Sequence, residues 1–342
     1  MRVLVTGHLG YIGTVLTPML TAEGFEVAGV DSDLFRGCDF GSLPAQAPGA
    51  RRDIRDVSAE DMRGFDAVVH LAALANDALA ELDPKVAREV NCAATVRLAE
   101  LCRKAGVARF IFSSSCSVYG AGGPDLLTED SPLRPLTPYA GSKAAAERAL
   151  SELATDAFSP VCLRNATAYG VSPRLRVDLA LNNLVAWGVT AGRIVLQSDG
   201  QAWRPQVHVE DLGRAFIAVL RAPREAIHNQ AFNVAEPEGN YRIRRLADIA
   251  SQEIPEARVE TTAGAGADTR CYRVSCDKFF RLVKGFQPRW DVRRGVQQLS
   301  GAYMRAGLTA DEFHGPRYRR LGWVCKLMGD GAIGADLRLR SG

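Results

Sequence analysis

A chain of 342 residues, 47% hydrophobic and 24% charged, can bury one large α/β domain with a smaller lobe beside it. Its formal net charge is only +3 and the arginines are scattered, so no basic stripe points to a nucleic-acid partner. No run approaches the ~18 apolar residues of a membrane span, the eight cysteines lack metal-ligand spacing, and no secretory segment is read, so the expectation is a cytoplasmic protein with reduced thiols, no metal and no membrane partner.

The chain opens on Arg2-Val-Leu-Val-Thr6, an apolar run of strand length, which passes directly into Gly7-His-Leu-Gly10-Tyr-Ile-Gly13 and an apolar helix. Glycines let the backbone turn tightly and approach a pyrophosphate, while the helix N-terminus offers unpaired N–H groups and a positive dipole end. The Gly-x-x-Gly-x-x-Gly spacing departs from the Gly-x-Gly-x-x-Gly fingerprint, so a plain tight connection is the alternative reading. A second strand, Glu26-Val-Ala-Gly-Val30, ends in Asp31, about 20 residues beyond the turn, where a carboxylate accepts both ribose hydroxyls and repels a 2′-phosphate. This favours NAD over NADP, with Arg36 nearby weakening the preference slightly. Asp66-Ala-Val-Val-His70, Arg109-Phe-Ile-Phe112 and Pro160-Val-Cys-Leu-Arg164 read as further strands, interspersed with helical patterns over 86–105 and 140–154. Such alternation predicts an α/β fold with a Rossmann-type, doubly wound parallel sheet. The Gly/Ala-rich stretch 261–268 reads as a surface loop.

Within the helical pattern, Thr-Pro-Tyr139-Ala-Gly-Ser-Lys143 sets a phenol and an ammonium four residues apart, on one helix face. A phenol of ordinary pKa, about 10, is a poor base at neutral pH. An adjacent ammonium favours the phenolate, so Lys143 is expected to lower the Tyr139 pKa and make it a base.

Taken in order, these motifs resemble the extended short-chain dehydrogenase/reductases, also called the NAD-dependent epimerase/dehydratase family, which act mainly on nucleotide sugars. The likeness covers nearly the whole chain and includes Asp53-Ile54, His70-Leu-Ala-Ala73, Phe112-Ser-Ser-Ser-Cys-Ser-Val-Tyr-Gly120, Ala168-Tyr-Gly170 and the run from Gly200 to Asp211. It implies that Gly7, Gly10 and Gly13, with Tyr11 and Ile12 between them, cradle the pyrophosphate, and that Asp31 binds the adenosine ribose. Asp53 and Ile54 would border the adenine; Leu71, Ala72 and Ala73 would lie beside the cofactor, as would Lys143. On residue type alone the two alanines read equally as small-residue packing. Ser115 matches the family's catalytic Ser or Thr, whose hydroxyl would bond the substrate oxygen that Tyr139 deprotonates.

Departures from the family sharpen this reading. Its sugar 4,6-dehydratases carry Asp and Glu where Cys116 and Ser117 stand, and its decarboxylases tend to keep a Glu at the Ser117 position, so both branches recede. Cys116 reads as a buried inert thiol in preference to an auxiliary acid. For the substrate, a nucleoside-diphosphate sugar, the resemblance points to Arg204 at the diphosphate, to Asn182 and Asn183 near it, and to Ser117 and Thr167 at the sugar. Thr167 stands where many relatives carry Asn. The family's second phosphate arginine usually precedes a Gly-Asp, but Gly264-Ala-Gly-Ala-Asp268 offers none, leaving Arg270 or Arg273 as substitutes.

The same resemblance interleaves the domains: 1–170 and 206–236 in the NAD-binding domain, 171–205 and 237–320 in the substrate lobe, and 321–342 as a tail expected to pack. It also implies a homodimer. The expected function is an NAD-dependent nucleotide-sugar epimerase, acting at C4 through a transient keto sugar with Tyr139 as base. A ketoreductase of a nucleotide sugar or other small carbonyl compound, and a catalytically idle NAD-binding sensor or scaffold, are the alternatives.

Overall fold

The computed structural model describes residues 1–262 and 266–340; the centre of the Gly/Ala-rich stretch, 263–265, lies outside the described residues. Val3, Leu4 and Val5 are all buried, as expected of a central parallel strand covered on both faces. Seven parallel strands run in the order Gln230–Val234, Ser159–Asn165, Arg109–Ser115, Ala67–His70, Arg2–Thr6, Glu26–Asp31, Gly49–Arg51. The predicted doubly wound sheet is thus the fold of the chain. From Arg2–Thr6 the chain builds outward to one edge, then returns and builds the other from Ala67–His70. A ligand crevice opens at the carboxyl ends of strands flanking such a reversal.

Successive strand residues face opposite sides. Val3, Val5 and Val69 join a core with Leu16, Leu20 and Phe216, whereas Leu4 and Val68 join another with Leu98, Phe110 and Phe112. The helical pattern over 86–105 is not one helix: Pro84–Arg88 passes through a π-helical turn, Glu89–Ala93, into Ala94–Lys104. Inside that wider turn the buried Asn91 accepts from the Leu74 amide at 2.8 Å and donates to the Leu74 carbonyl at 3.2 Å. A side-chain amide therefore fixes the loop that follows Ala67–His70, at the crevice.

A third core gathers Leu181, Val185, Leu246, Ile249, Val296 and Leu299 from the helices Ala180–Ala191, Ile243–Glu253 and Val292–Ala306. This lobe is interleaved with the large domain. The helix Val209–Arg221 packs on Gly13–Ala22, where a Cβ on Gly213 would stand 2.8 Å from Met19 Sδ, and Gln230–Val234 closes the sheet edge. Trp203–His208, by contrast, pairs with Thr167–Tyr169 and Asn240–Arg242 in a separate three-stranded sheet. Val207, in that strand, nevertheless shares the core of Val3, Val5 and Leu16. The tail packs as well: Val324, Ile333 and Leu337 share a core with Leu34 and Ile54.

Candidate functional site

At the crevice lies a cavity of about 580 Å³ that spans both lobes. Gly7, Gly10, Tyr11, Ile12 and Gly13 line one end of it. Gly7 has φ +76°, and a Cβ there would lie 2.6 Å from the Ala72 amide nitrogen; one on Gly13 would lie 2.3 Å from the Gly7 carbonyl oxygen. These two glycines let the turn approach the Leu71–Ala72 backbone and its own helix. Gly10 is different, since a Cβ there would meet nothing closer than the Gly7 oxygen at 3.2 Å.

Asp31, Asp53 and Ile54 line the same end, with Leu71, Ala72 and Ala73 across from the glycine turn. Asp31 accepts from the Leu9 amide through Oδ2 at 3.0 Å and from the Asp33 amide through Oδ1 at 2.7 Å. Burial pushes its pKa up, against these bonds and the nearby His8. Asp53 faces Arg55 with both carboxylate oxygens, at 2.9 and 2.8 Å.

Ser115, Tyr139 and Lys143 all line this cavity, with Lys143 Nζ 5.9 Å from the Tyr139 ring centroid. Ser115 closes the strand Arg109–Ser115, and its Oγ accepts from the Ser117 amide at 3.1 Å. Tyr139 sits in the first turn of Pro138–Glu152, whose start is fixed by Pro138 and by Thr137 Oγ1 accepting from the Ala140 amide at 3.2 Å. One turn on, Lys143 Nζ donates to the Ser113 carbonyl at 2.9 Å and lies 4.5 Å from the Phe112 ring centroid. Beneath this helix Glu147 receives Arg164 at 2.8 Å and the Ser114 hydroxyl, tying the helix to two strands.

The electrostatics reverse one expectation. Burial pushes the Tyr139 phenol up to about 12, and the cation opposing this most is Arg176, with the Ser115 hydroxyl acting in the same direction. Lys143 is itself pulled down by burial to about 7, partly offset by Glu147. Burial disfavours the ammonium, so Lys143 carries only part of its charge at neutral pH with which to stabilise a phenolate. Arg176 escaped the sequence reading. It is buried in the cavity wall, held on Asp178 at 3.1 and 2.8 Å and donating to the Ala75 carbonyl at 3.2 Å.

Toward the second lobe the cavity is lined by Ser117, Thr167, Arg204 and Arg270. Asp268 accepts from Arg204 at 2.7 Å and from Arg270 at 3.0 Å, and Arg270 also reaches Asp77 at 2.6 Å. Asn183 is elsewhere: its amide donates to the Val177 carbonyl at 3.0 Å and does not line the cavity. Asn182 is spent on the Gly170 amide and the Arg176 carbonyl, at 3.0 and 2.9 Å. Arg273 lies over the Trp203 ring, outside the lining. Cys116 is fully buried, donating to the Arg164 carbonyl, and burial pushes its thiol well up, so it is no acid for this cavity. Asn165, unnoticed in the sequence, lines the cavity; its Oδ1 and Ser117 Oγ have no hydrogen-bond partner among the described residues.

Residues 3–235 match the model of the NAD dependent epimerase/dehydratase family. The chain belongs to that family. Among its relatives is a UDP-glucose 4-epimerase of Azospirillum brasilense, 29% identical over 89% of this chain and 92% of the relative. Another, from Mycolicibacterium smegmatis, is 33% identical over 68% of this chain and 77% of the relative. In three dimensions the chain resembles MoeE5 in complex with UDP-glucuronic acid and NAD, with a TM-score of 0.78, 27% identity and 90% and 100% of the two chains covered.

An NAD-dependent epimerase/dehydratase is an enzyme whose cofactor is NAD, and the residues present fit it. Gly7 and Gly13 let the turn pack tightly, and a Cβ on the cavity-lining Gly10 would meet only the Gly7 oxygen, so the backbone there stays open to a pyrophosphate. Asp31 keeps acceptor capacity beyond its two amide bonds, since a carboxylate takes about four. Among the described residues no cluster of metal-ligating side chains occurs, and no helix is long and apolar enough to cross a membrane.

Proposed function

We propose that the protein is a nucleotide-sugar 4-epimerase, with UDP-hexoses as the first substrates to test. One observation carries this: Ser115, Tyr139 and Lys143 line the same cavity as the glycine turn and two arginines, Arg204 and Arg270. By resemblance, Cys116 and Ser117 stand where the family's 4,6-dehydratases carry Asp and Glu, and Cys116 is fully buried, which supports epimerisation over dehydration.

In this reading Gly7, Gly10 and Gly13 hold the pyrophosphate of NAD, Asp31 the adenosine ribose, and Asp53 and Ile54 the adenine edge. When bound, NAD would supply a hydride acceptor and a positive charge that favours the Tyr139 phenolate. The chain does the rest. Ser115 orients the sugar C4 hydroxyl toward Tyr139, which must be ionised to act, and the phenolate oxygen takes the hydroxyl proton as the carbinol becomes a ketone. Arg204 and Arg270 retain the diphosphate by bidentate bonds while the keto sugar turns over, and Tyr139 returns the proton once the opposite face has been reduced. The unpartnered Asn165 Oδ1 and Ser117 Oγ offer polar contacts to the sugar in either orientation.

The test is to incubate purified protein with UDP-glucose, UDP-galactose and their N-acetyl and uronic acid counterparts, without added cofactor, and follow C4 inversion by NMR. Inversion with no net redox is expected. A strict requirement for stoichiometric reduced cofactor identifies a ketoreductase, and no hydride transfer to or from any substrate identifies a binding protein.

A further inference from the structure

The outer wall of the cavity at its Asp31 and Ile54 end is contributed by the C-terminal segment, through Arg320 and Leu337. The helix Arg320–Gly329 is fastened there by Trp323 Nε1, which donates to the Leu34 carbonyl at 3.0 Å, and by the Arg320 guanidinium, 4.2 Å from the Phe35 ring centroid. The chain then doubles back. Ile333 bridges Leu339, the Leu337 amide donates to the Gly334 carbonyl at 3.0 Å, and the Arg340 amide donates to the Ala332 carbonyl at 3.0 Å.

Leu337 lies at the tip of this hairpin with φ +60°. A bulky residue adopts that left-handed conformation only at a cost, and such strain persists where the surroundings enforce it. A hairpin that needed only to turn would place glycine or asparagine there. Here the leucine side chain is instead 6% exposed, shares a core with Ile54 and lines the cavity. The opposite rim grips the same hairpin. Arg55, paired with Asp53 at 2.8 Å, donates to the Asp336 carbonyl at 3.0 Å, and Arg338 pairs with Asp56. The chain around Asp53 and Ile54 is thus joined to the hairpin on both sides of Leu337.

We propose that the hairpin 332–340 is part of the dinucleotide site, with Leu337 covering the adenosine end of bound NAD and slowing its release. Leu337→Gly deletes the side chain at a backbone position that glycine adopts without strain, and Leu337→Met keeps an apolar cover. In calorimetric titrations of cofactor-stripped protein, Leu337→Gly is expected to weaken NAD and ADP-ribose alike by about tenfold, through the lost van der Waals contacts between the leucine side chain and the adenosine. Leu337→Met should stay within about twofold of the unaltered protein. Nicotinamide mononucleotide, which lacks the adenosine half, should bind all three equally.

An unchanged NAD affinity in Leu337→Gly, or an equal loss for nicotinamide mononucleotide, overturns the proposal. Hydrogen exchange on the unaltered protein tests it without a substitution: ADP-ribose should slow the Leu337 and Arg340 amides. If the glycine turn becomes protected while those amides do not, the hairpin is no part of the site. No sugar enters either measurement, so the outcome is independent of the 4-epimerase reading.

Discussion

The two ends of the cavity are built by opposite means. The cofactor end is backbone and small residues: a glycine turn against the Leu71–Ala72 chain, with Asp31 locked by two amides. The substrate end is charged side chains engaged with one another, Asp268 on Arg204 and Arg270, and Asp77 on Arg270. If NAD and a nucleoside diphosphate bind there as proposed, the first receives its ligand without rearrangement, whereas the second exchanges one set of partners for another. Preorganisation lowers the cost of binding, so cofactor retention and substrate exchange are natural properties of such a site.

Removing the phenolic oxygen between the two ends should have the largest effect. Tyr139→Phe leaves both walls intact, so epimerisation is expected to fall about 1000-fold, while NAD and UDP-sugar affinities, read by titration, stay near those of the unaltered protein. A loss under tenfold would remove Tyr139 from the chemistry. Gly7→Ala attacks the cofactor end instead. Its methyl would overlap the Ala72 nitrogen at 2.6 Å, with φ at +76°. Strain and overpacking together should cost about 3 kcal/mol of stability in urea melts, with NAD binding lost; a matching substitution at Gly10, whose Cβ has room, should be far milder in the same melts.

The same contrast explains what the sequence could disclose. Strand, glycine turn and Asp31 follow one another along the chain, because a strand followed by a helix positions them locally. Tyr139 and Lys143 are legible for the same reason, lying one helical turn apart. The charge state of that pair was not, because it depends on burial beside Phe112, a residue from another element. Arg176 and the pairing of Arg270 with Asp77 were equally hidden: partners 193 positions apart leave no spacing to read. The π turn at Asn91 left one faint signal, a polar residue on the buried face of an apolar helical pattern. Arg204 was found by resemblance alone, and neither Asn182 nor Asn183 lines the cavity, because each side chain is bonded to nearby backbone groups.

Lys143 sharpens the comparison through pH. Its folded pKa is pulled down to about 7 from an ordinary 10.5, so between these values the unfolded chain binds the extra proton and stability rises with pH. The penalty for burying this amine is complete below about 7 and relieved as pH climbs toward 10.5. Cofactor-free protein should therefore gain on the order of 1–2 kcal/mol from this group between about pH 7 and 9. The gain should be absent in Lys143→Met, as thermal melts at both pH values would show. Equal pH slopes for the two proteins would mean that Lys143 keeps its charge when buried.

At the substrate end, Arg204→Ala should raise KM for the UDP-sugar about 30-fold, the range of a charge-assisted hydrogen bond, with kcat changed less and NAD affinity unaltered. Equal losses for NAD and sugar would indicate a collapsed cleft.

Asp268→Asn tests the exchange itself and predicts the opposite sign. Burial pushes the Asp268 carboxyl up, but Arg270 and Arg204 outweigh it and hold it below its ordinary value, so the pairs persist at neutral pH. The amide keeps the shape and one acceptor oxygen while removing the negative charge that competes with a diphosphate. Both arginines then face the substrate with less to give up. KM should fall about fivefold and its dependence on salt should steepen, an effect small enough to need initial-rate measurements across ionic strength. If KM rises instead, Asp268 acts chiefly to aim the arginines, and the substrate end is as preorganised as the glycine turn opposite.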